Sequence, residues 1–165
     1  MKTLLLLRHA KSDWDADYGP DHERPLAARG VRDAKRMGRY LADAGPLPDV
    51  CVTSTAVRAR TTVRLAHEAG GWTAPVVEAD ALYAASLRDV LDVVRSLDDA
   101  DAVVLLAGHE PTWSSAVGAF AGRAVSMPTA ALACITFDVD RWAEVGWGAG
   151  TLAWRMKPKA LPEGY

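Results

Sequence analysis

The chain has 165 residues, a length that suits one domain (1–165) with a sizeable core. Half of its residues are hydrophobic, which excludes a chain disordered throughout. The formal net charge of −2 gives no electrostatic reason to expect nucleic acid or an anionic membrane surface as a partner. Met1-Lys2 and four leucines are too short an apolar run for a signal peptide, and no stretch approaches the ~20 apolar residues of a membrane span. A cytoplasmic location is the expectation.

Taken in order, the chain alternates strands and helices. Leu4–Leu7 reads as a strand buried on both faces that runs straight into Arg8-His9. A polar loop with Trp14, Tyr18 and Gly19-Pro20 follows. A helix is expected from about Pro25, with Val31, Ala34, Met37, Gly38 and Leu41 on one face. Arg29, Arg32, Lys35, Arg36 and Arg39 take its other side, which reads as a solvated surface, with docking of an acidic phosphoprotein as the less favoured alternative. Asp49–Thr53 is a second strand, ending at Ser54-Thr55, which is expected to cap a helix reaching about Glu68. Ala74–Glu78 forms a short third strand. Ser86-Leu87-Arg88-Asp89 has the form of a capping box ahead of a helix with Leu87, Val90, Leu91, Val94 and Leu97 inward. Ala102–Ala107 is another doubly buried strand, ending at Gly108-His109-Glu110-Pro111, and Thr112–Phe120 is helical. Leu132–Asp138 and Thr151–Met156 lack a crossover helix between them, so an antiparallel pair is expected. Cys51 and Cys134 fall inside strands and read as small hydrophobes rather than a bridge. The class is α/β: a three-layer, mostly parallel sheet of about six strands with one antiparallel strand.

Three strand ends carry the chemistry. If these strands are parallel, their carboxyl ends share one edge of the sheet, where open α/β sheets bind ligands. The first strand delivers Arg8 and His9, the second Ser54 and then Arg58, and the strand at 102–107 delivers His109. Two arginines and two histidines brought together repel one another unless an anion neutralises them, and the planar fork of arginine suits phosphate oxygens. Lys11, Ser12 and Trp14 adjoin His9 as candidates for the entrance. Arg60 and Arg64 read as solvated helix charges, His22 as a loop residue near the rim, and His67 as a residue on an exposed helix face. No carboxylate cluster suits magnesium and no His/Cys spacing suits zinc, so neither cofactor nor metal is expected.

Leu7-Arg8-His9-Ala10, Ser54…Arg58-Ala59…Thr61 and Gly108-His109 resemble the histidine phosphatase superfamily, with its phosphoglycerate mutase-like fold. Arg8-His9-Ala10-Lys11-Ser12, Arg24-Pro25-Leu26…Gly30 and Gly108-His109-Glu110-Pro111 narrow the resemblance to SixA-type phosphohistidine phosphatases. The match runs in order over nearly the whole chain. It implies that His9 is the nucleophile, forming a phosphohistidine enzyme that water hydrolyses. Arg8 and Arg58 are then phosphate-binding arginines, and His109 the second histidine on the phosphoryl group. Neighbouring cations are expected to hold His9 unprotonated.

Superfamily members that cleave alkyl phosphates carry an acidic proton donor between the second arginine and the second histidine. Here the nearest candidates are Glu78 and Asp80, without a clear motif around either. An alcohol leaving group needs that proton, whereas imidazole, with a conjugate-acid pKa of ~6.5, needs far less help. The implied function is a metal-independent phosphatase acting on phosphohistidine in proteins. The alternatives are a phosphomonoesterase of small esters using Glu78 or Asp80, and a non-catalytic phosphate-binding module of the same fold. The implied partner is a phosphorylated protein or a small phosphorylated substrate.

Overall fold

The computed structural model describes all residues, Met1–Tyr165. Its centre is a six-stranded sheet with order β3-β2-β4-β1-β5-β6. The strands are β1 (Lys2–Arg8), β2 (Val50–Thr53), β3 (Val76–Glu78), β4 (Val103–Gly108), β5 (Leu132–Phe137) and β6 (Gly150–Met156). The first four strands in that order are mutually parallel, and β5 runs antiparallel to both β1 and β6. The class, the strand number and the single reversed strand are as the sequence predicts.

The leucine run explains the layering. Along β1, successive side chains face opposite sides of the sheet. Leu4 and Leu6 join a cluster with Val90, Leu91, Trp113 and Phe120. These come from α3 (Leu87–Arg95) and α4 (Thr112–Ala121). Leu5 and Leu7 join Met37, Leu41, Val63 and Ala66 on the opposite side, from α1 (Ala28–Ala44) and α2 (Val57–Gly70). All four leucines are fully buried, each worth about 1.5–3 kcal/mol relative to exposure. The dipeptide that follows them therefore rests on a fully buried run of the strand.

The registers place three strand ends side by side. Arg8 pairs with Gly108 across β1 and β4, and Thr53 pairs with Ala107 across β2 and β4. The chain leaves β1 and β2 toward α1 and α2 on one face, and leaves β4 toward α4 on the other. Crevices open where connections part in this way.

Two local expectations need correction. The first helix starts at Ala28 rather than about Pro25, because residues 25–27 give their backbone groups to the loop after β1. Asp13 N–H donates to the Pro25 carbonyl (2.8 Å), Ala27 N–H to the Lys11 carbonyl (2.9 Å), and Ser12 bridges Leu26. Ser54 and Thr55 do not cap α2: its N-cap is Ala56, with no side-chain bond. The capping box of Ser86 and Asp89 on α3 is present as expected. Cys51 and Cys134 are free and buried, and burial pushes their thiols up to about 12 and about 11. No helix is long and apolar enough to cross a membrane.

Candidate active site

The loop after β1 is held on three sides. His9 N–H donates to the Gly108 carbonyl (3.0 Å), and Ala130 N–H donates to the His9 carbonyl (3.1 Å). Ala10 N–H donates to Thr62 Oγ1 (2.9 Å), while that hydroxyl donates to the Arg58 carbonyl (2.7 Å). One threonine thus links the loop of His9 to the helix of Arg58. Two glycines permit the close approaches. A Cβ on Gly30 would lie 2.1 Å from the Lys11 carbonyl oxygen, and one on Gly108 would lie 2.3 Å from the Trp113 ring.

A cavity of about 240 Å³ is lined by Arg8, His9, Arg58 and His109, together with Lys11, Ser12, Trp14, Arg24, Glu110 and Thr129. The four residues singled out in the sequence meet there, and the three candidates for the entrance meet with them. His9 and His109 lie with ring centroids 5.2 Å apart. His9 is only 6% exposed. Its Nδ1 is 2.7 Å from the Ala10 carbonyl, and a carbonyl only accepts, so Nδ1 carries the proton and the neutral ring keeps a lone pair on Nε2. Burial is the main reason that His9 is pushed down to about 3. The Ala10 bond opposes that shift, and the fields of His109, Arg58 and Arg8 add to it. The neighbouring cations act in the expected direction, but desolvation leads. His109 is pushed down to about 4, again by burial first and then by Arg58.

His109 Nε2 and Ser54 Oγ are 2.7 Å apart. Three buried nitrogens in this cluster have no partner: Arg8 Nε, Arg58 Nε and His109 Nδ1. Buried polar atoms are rarely left unpaired. Three of them on residues that wall one cavity mark a place suited to an anion.

Several participants escape a reading of the sequence. Arg24 is 4% exposed, donates to Ser12 Oγ (2.9 Å) and sits 3.6 Å from the Trp14 ring centroid. It lay inside a quoted motif, which was its only signal. Asp21 gathers both outer arginines: its side chain pairs with Arg24, accepts from Arg58 Nη2 (3.0 Å) and accepts from the Tyr83 hydroxyl (2.8 Å). Burial pushes the Asp21 carboxyl up, but the bonds from Tyr83 and Arg58, with help from Arg24, outweigh it and hold it at about 2. Glu110 is the carboxylate lining the cavity, with its oxygens taken by Ser114 N–H (2.7 Å) and Ser114 Oγ (2.5 Å). Thr129 comes from a loop without any sequence signal.

Other candidates fall elsewhere. Glu78 is exposed, lies 3.8 Å from Arg60, and lines a different cavity. Asp80 accepts from the Thr55 hydroxyl (2.9 Å) and does not line the His9 cavity. Neither carboxylate lines the cavity of His9. His22 bonds Thr55 Oγ1 (2.8 Å) and stands edge-on to Tyr83. His67 is half-buried rather than exposed, with Nε2 2.8 Å from the Ala74 carbonyl, where it ties the end of α2 to the approach to β3.

The sheet order and the convergence of Arg8, His9, Arg58 and His109 at the ends of β1, β2 and β4 define a phosphoglycerate mutase-like α/β protein. The model of the histidine phosphatase superfamily (branch 1) matches residues 4–89. An uncharacterized protein of Mycobacterium tuberculosis is 36% identical over 157 residues, covering 88% of this chain and 96% of that protein. A Nakamurella multipartitia protein assigned as the phosphohistidine phosphatase SixA superposes with a TM-score of 0.83 at 29% identity, covering 96% and 97% of the two chains. A similarly assigned protein of Agrobacterium tumefaciens gives 0.81 at 26% identity, covering 95% and 98%. The chain belongs to the histidine phosphatase superfamily and is of the SixA type.

Proposed function

We propose that residues 1–165 form one catalytic domain, a metal-independent phosphatase that removes phosphoryl groups from phosphohistidine in proteins through a phosphorylated His9. The observation that carries this reading is the state of His9: buried, neutral, with Nδ1 engaged and Nε2 in a cavity walled by three arginines and a second histidine. In the first step Nε2 attacks the phosphorus of a substrate ring that carries a proton on its distal nitrogen, the P–Nε2 bond forms, and the bond to that ring breaks as it leaves as neutral imidazole. Arg8, Arg58 and His109 stabilise the charge on the equatorial oxygens, the role that fixed donors play in phosphoryl transfer. With an ordinary pKa of ~6.5 the substrate ring can bring that proton itself and needs no protein acid, which fits a cavity that Glu78 and Asp80 do not line. In the second step water attacks phosphorus, the P–Nε2 bond breaks, and inorganic phosphate departs.

The test compares a phosphohistidine polypeptide with sugar and glycerate phosphates on one preparation, with and without a chelator. Faster turnover of the phosphohistidine substrate, insensitive to chelator, with acid-labile phosphate trapped on His9, is the expected result. Preferential hydrolysis of the esters, or loss of activity with the chelator, defeats the reading.

A further inference from the structure

A second concavity, about 490 Å³, lies beside the His9 cavity and is charged in the sense opposite to the chain as a whole. Arg29, Arg32 and Arg36 of α1 form one wall, and Lys157 and Lys159 form the other. The only acid in the lining is Asp33, which is 6% exposed and lies 3.6 Å from both Arg32 and Arg36. Arg36 also donates to the carbonyls of Tyr165 (3.0 Å) and Pro158 (3.3 Å), tying the two walls together. Arg29, Lys157 and Lys159 are exposed and take no part in the ion pairs of the molecule. Thr129 lines both this groove and the His9 cavity, so the two are neighbours across one residue.

We propose that this groove docks an acidic segment of the phosphorylated polypeptide whose phosphoryl group enters the His9 cavity past Thr129. The inference rests on the substrate class proposed above and adds the chemistry that recognises it. Uncompensated cations sharing one groove repel, and a polyanion lying among them removes that cost. From Arg29 to Arg36 the charges extend about 10 Å along α1, the span of about three extended residues. That footprint suits a stretch of polypeptide better than a single small anion. No aromatic side chain lines the groove, so it offers no stacking surface for nucleic-acid bases.

The test uses Arg29→Glu/Lys157→Glu/Lys159→Glu, its milder triple-alanine counterpart, and Arg88→Glu/Arg123→Glu as a charge control outside the groove. Binding of an unphosphorylated twelve-residue Glu/Asp peptide is followed by fluorescence anisotropy at low salt. Hydrolysis of phosphoimidazole and of a phosphohistidine polypeptide is followed in parallel. The glutamate variant is expected to weaken peptide binding at least about tenfold, and to raise KM for the polypeptide by a similar factor. Phosphoimidazole turnover should stay within about twofold of the wild type, and the charge control should bind normally. The alanine variant, with an unchanged melting temperature, should show the same pattern at smaller amplitude. Equal peptide binding by wild-type and groove variants overturns the proposal, as does tighter groove-dependent binding of anionic vesicles or RNA than of the peptide. Groove-dependent peptide binding without hydrolysis of the polypeptide would leave the docking groove standing and remove the proposed substrate instead.

Discussion

Two cavities open near the carboxyl end of β2, and the larger is the less chemical of the two. The cavity of about 410 Å³ between Thr53, Arg60, Arg64, His67 and Glu78 holds charges that already have partners: Arg60 with Glu78, and Arg64 with Glu68. The cavity of about 240 Å³ at His9 holds arginines and a histidine with buried nitrogens left unpaired. Volume does not separate them. Unpaired buried nitrogens do, because a folded chain tolerates such atoms chiefly where something else supplies the partner.

Substitutions on the two sides should break or sharpen that contrast. His9→Ala removes the proposed nucleophile, and turnover of an aryl phosphate should fall by at least about 10³-fold while circular dichroism stays native. Residual activity near wild type would take His9 out of the mechanism. Arg58→Ala should cost about 10²-fold in kcat/KM, the scale of losing one fixed donor to a developing charge. Asp21→Asn keeps its shape but loosens Arg24 and Arg58, so a smaller loss of about tenfold is expected in kcat/KM, in line with the cost of misplacing a positioning group. On the other side, Glu78→Gln and Arg60→Ala should leave kcat/KM within about twofold, since the ion pair they share lines the other cavity.

Acid stability tests the same contrast by another route. His9 and His109 are held down at about 3 and about 4. As pH falls below the ordinary histidine value of ~6.5, the unfolded chain therefore takes up protons that the folded one refuses. Stability should be flat with respect to these groups above that value. It should then drop by up to about 1.4 kcal/mol per pH unit for each histidine until the folded values are reached. Asp21, held at about 2, contributes stability that is present above the ordinary carboxylate range and lost as pH falls through its folded value. Urea unfolding of the wild type and of His9→Ala/His109→Ala between pH 7.5 and 4.5 isolates the histidine window, since the Asp21 contribution changes only at lower pH. An equal slope for both proteins would show that the histidines are not buried neutral.

Much of this was legible in the residues, and the legible part shares a cause. Leu4–Leu7 and Val103–Ala107 announce central strands because a parallel strand covered on both faces needs an unbroken apolar run. Once the strands are parallel, Arg8, His9, Ser54, Arg58 and His109 must share an edge. What stayed hidden depends on side chains meeting across long separations. Asp21 gains its role only when Tyr83, 62 residues away in sequence, donates to it. Thr129 lines the site because the 130 loop returns to the His9 carbonyl. Ser54 has the residue type of a helix cap, yet its hydroxyl lies against His109, a competition that local propensity does not register. That the basic face of α1 shares a groove with Lys157 and Lys159, over a hundred residues later, is likewise invisible to local pattern.

The hydroxyl of Thr62 has a consequence for how the molecule works. By accepting from Ala10 and donating to Arg58, it makes strand end and helix start a single mechanical piece. The backbone beside the proposed nucleophile and the backbone of Arg58 are therefore held at one spacing by a single side chain. An isosteric Thr62→Val cuts that strut while keeping the volume, leaving the two backbones without their shared tie.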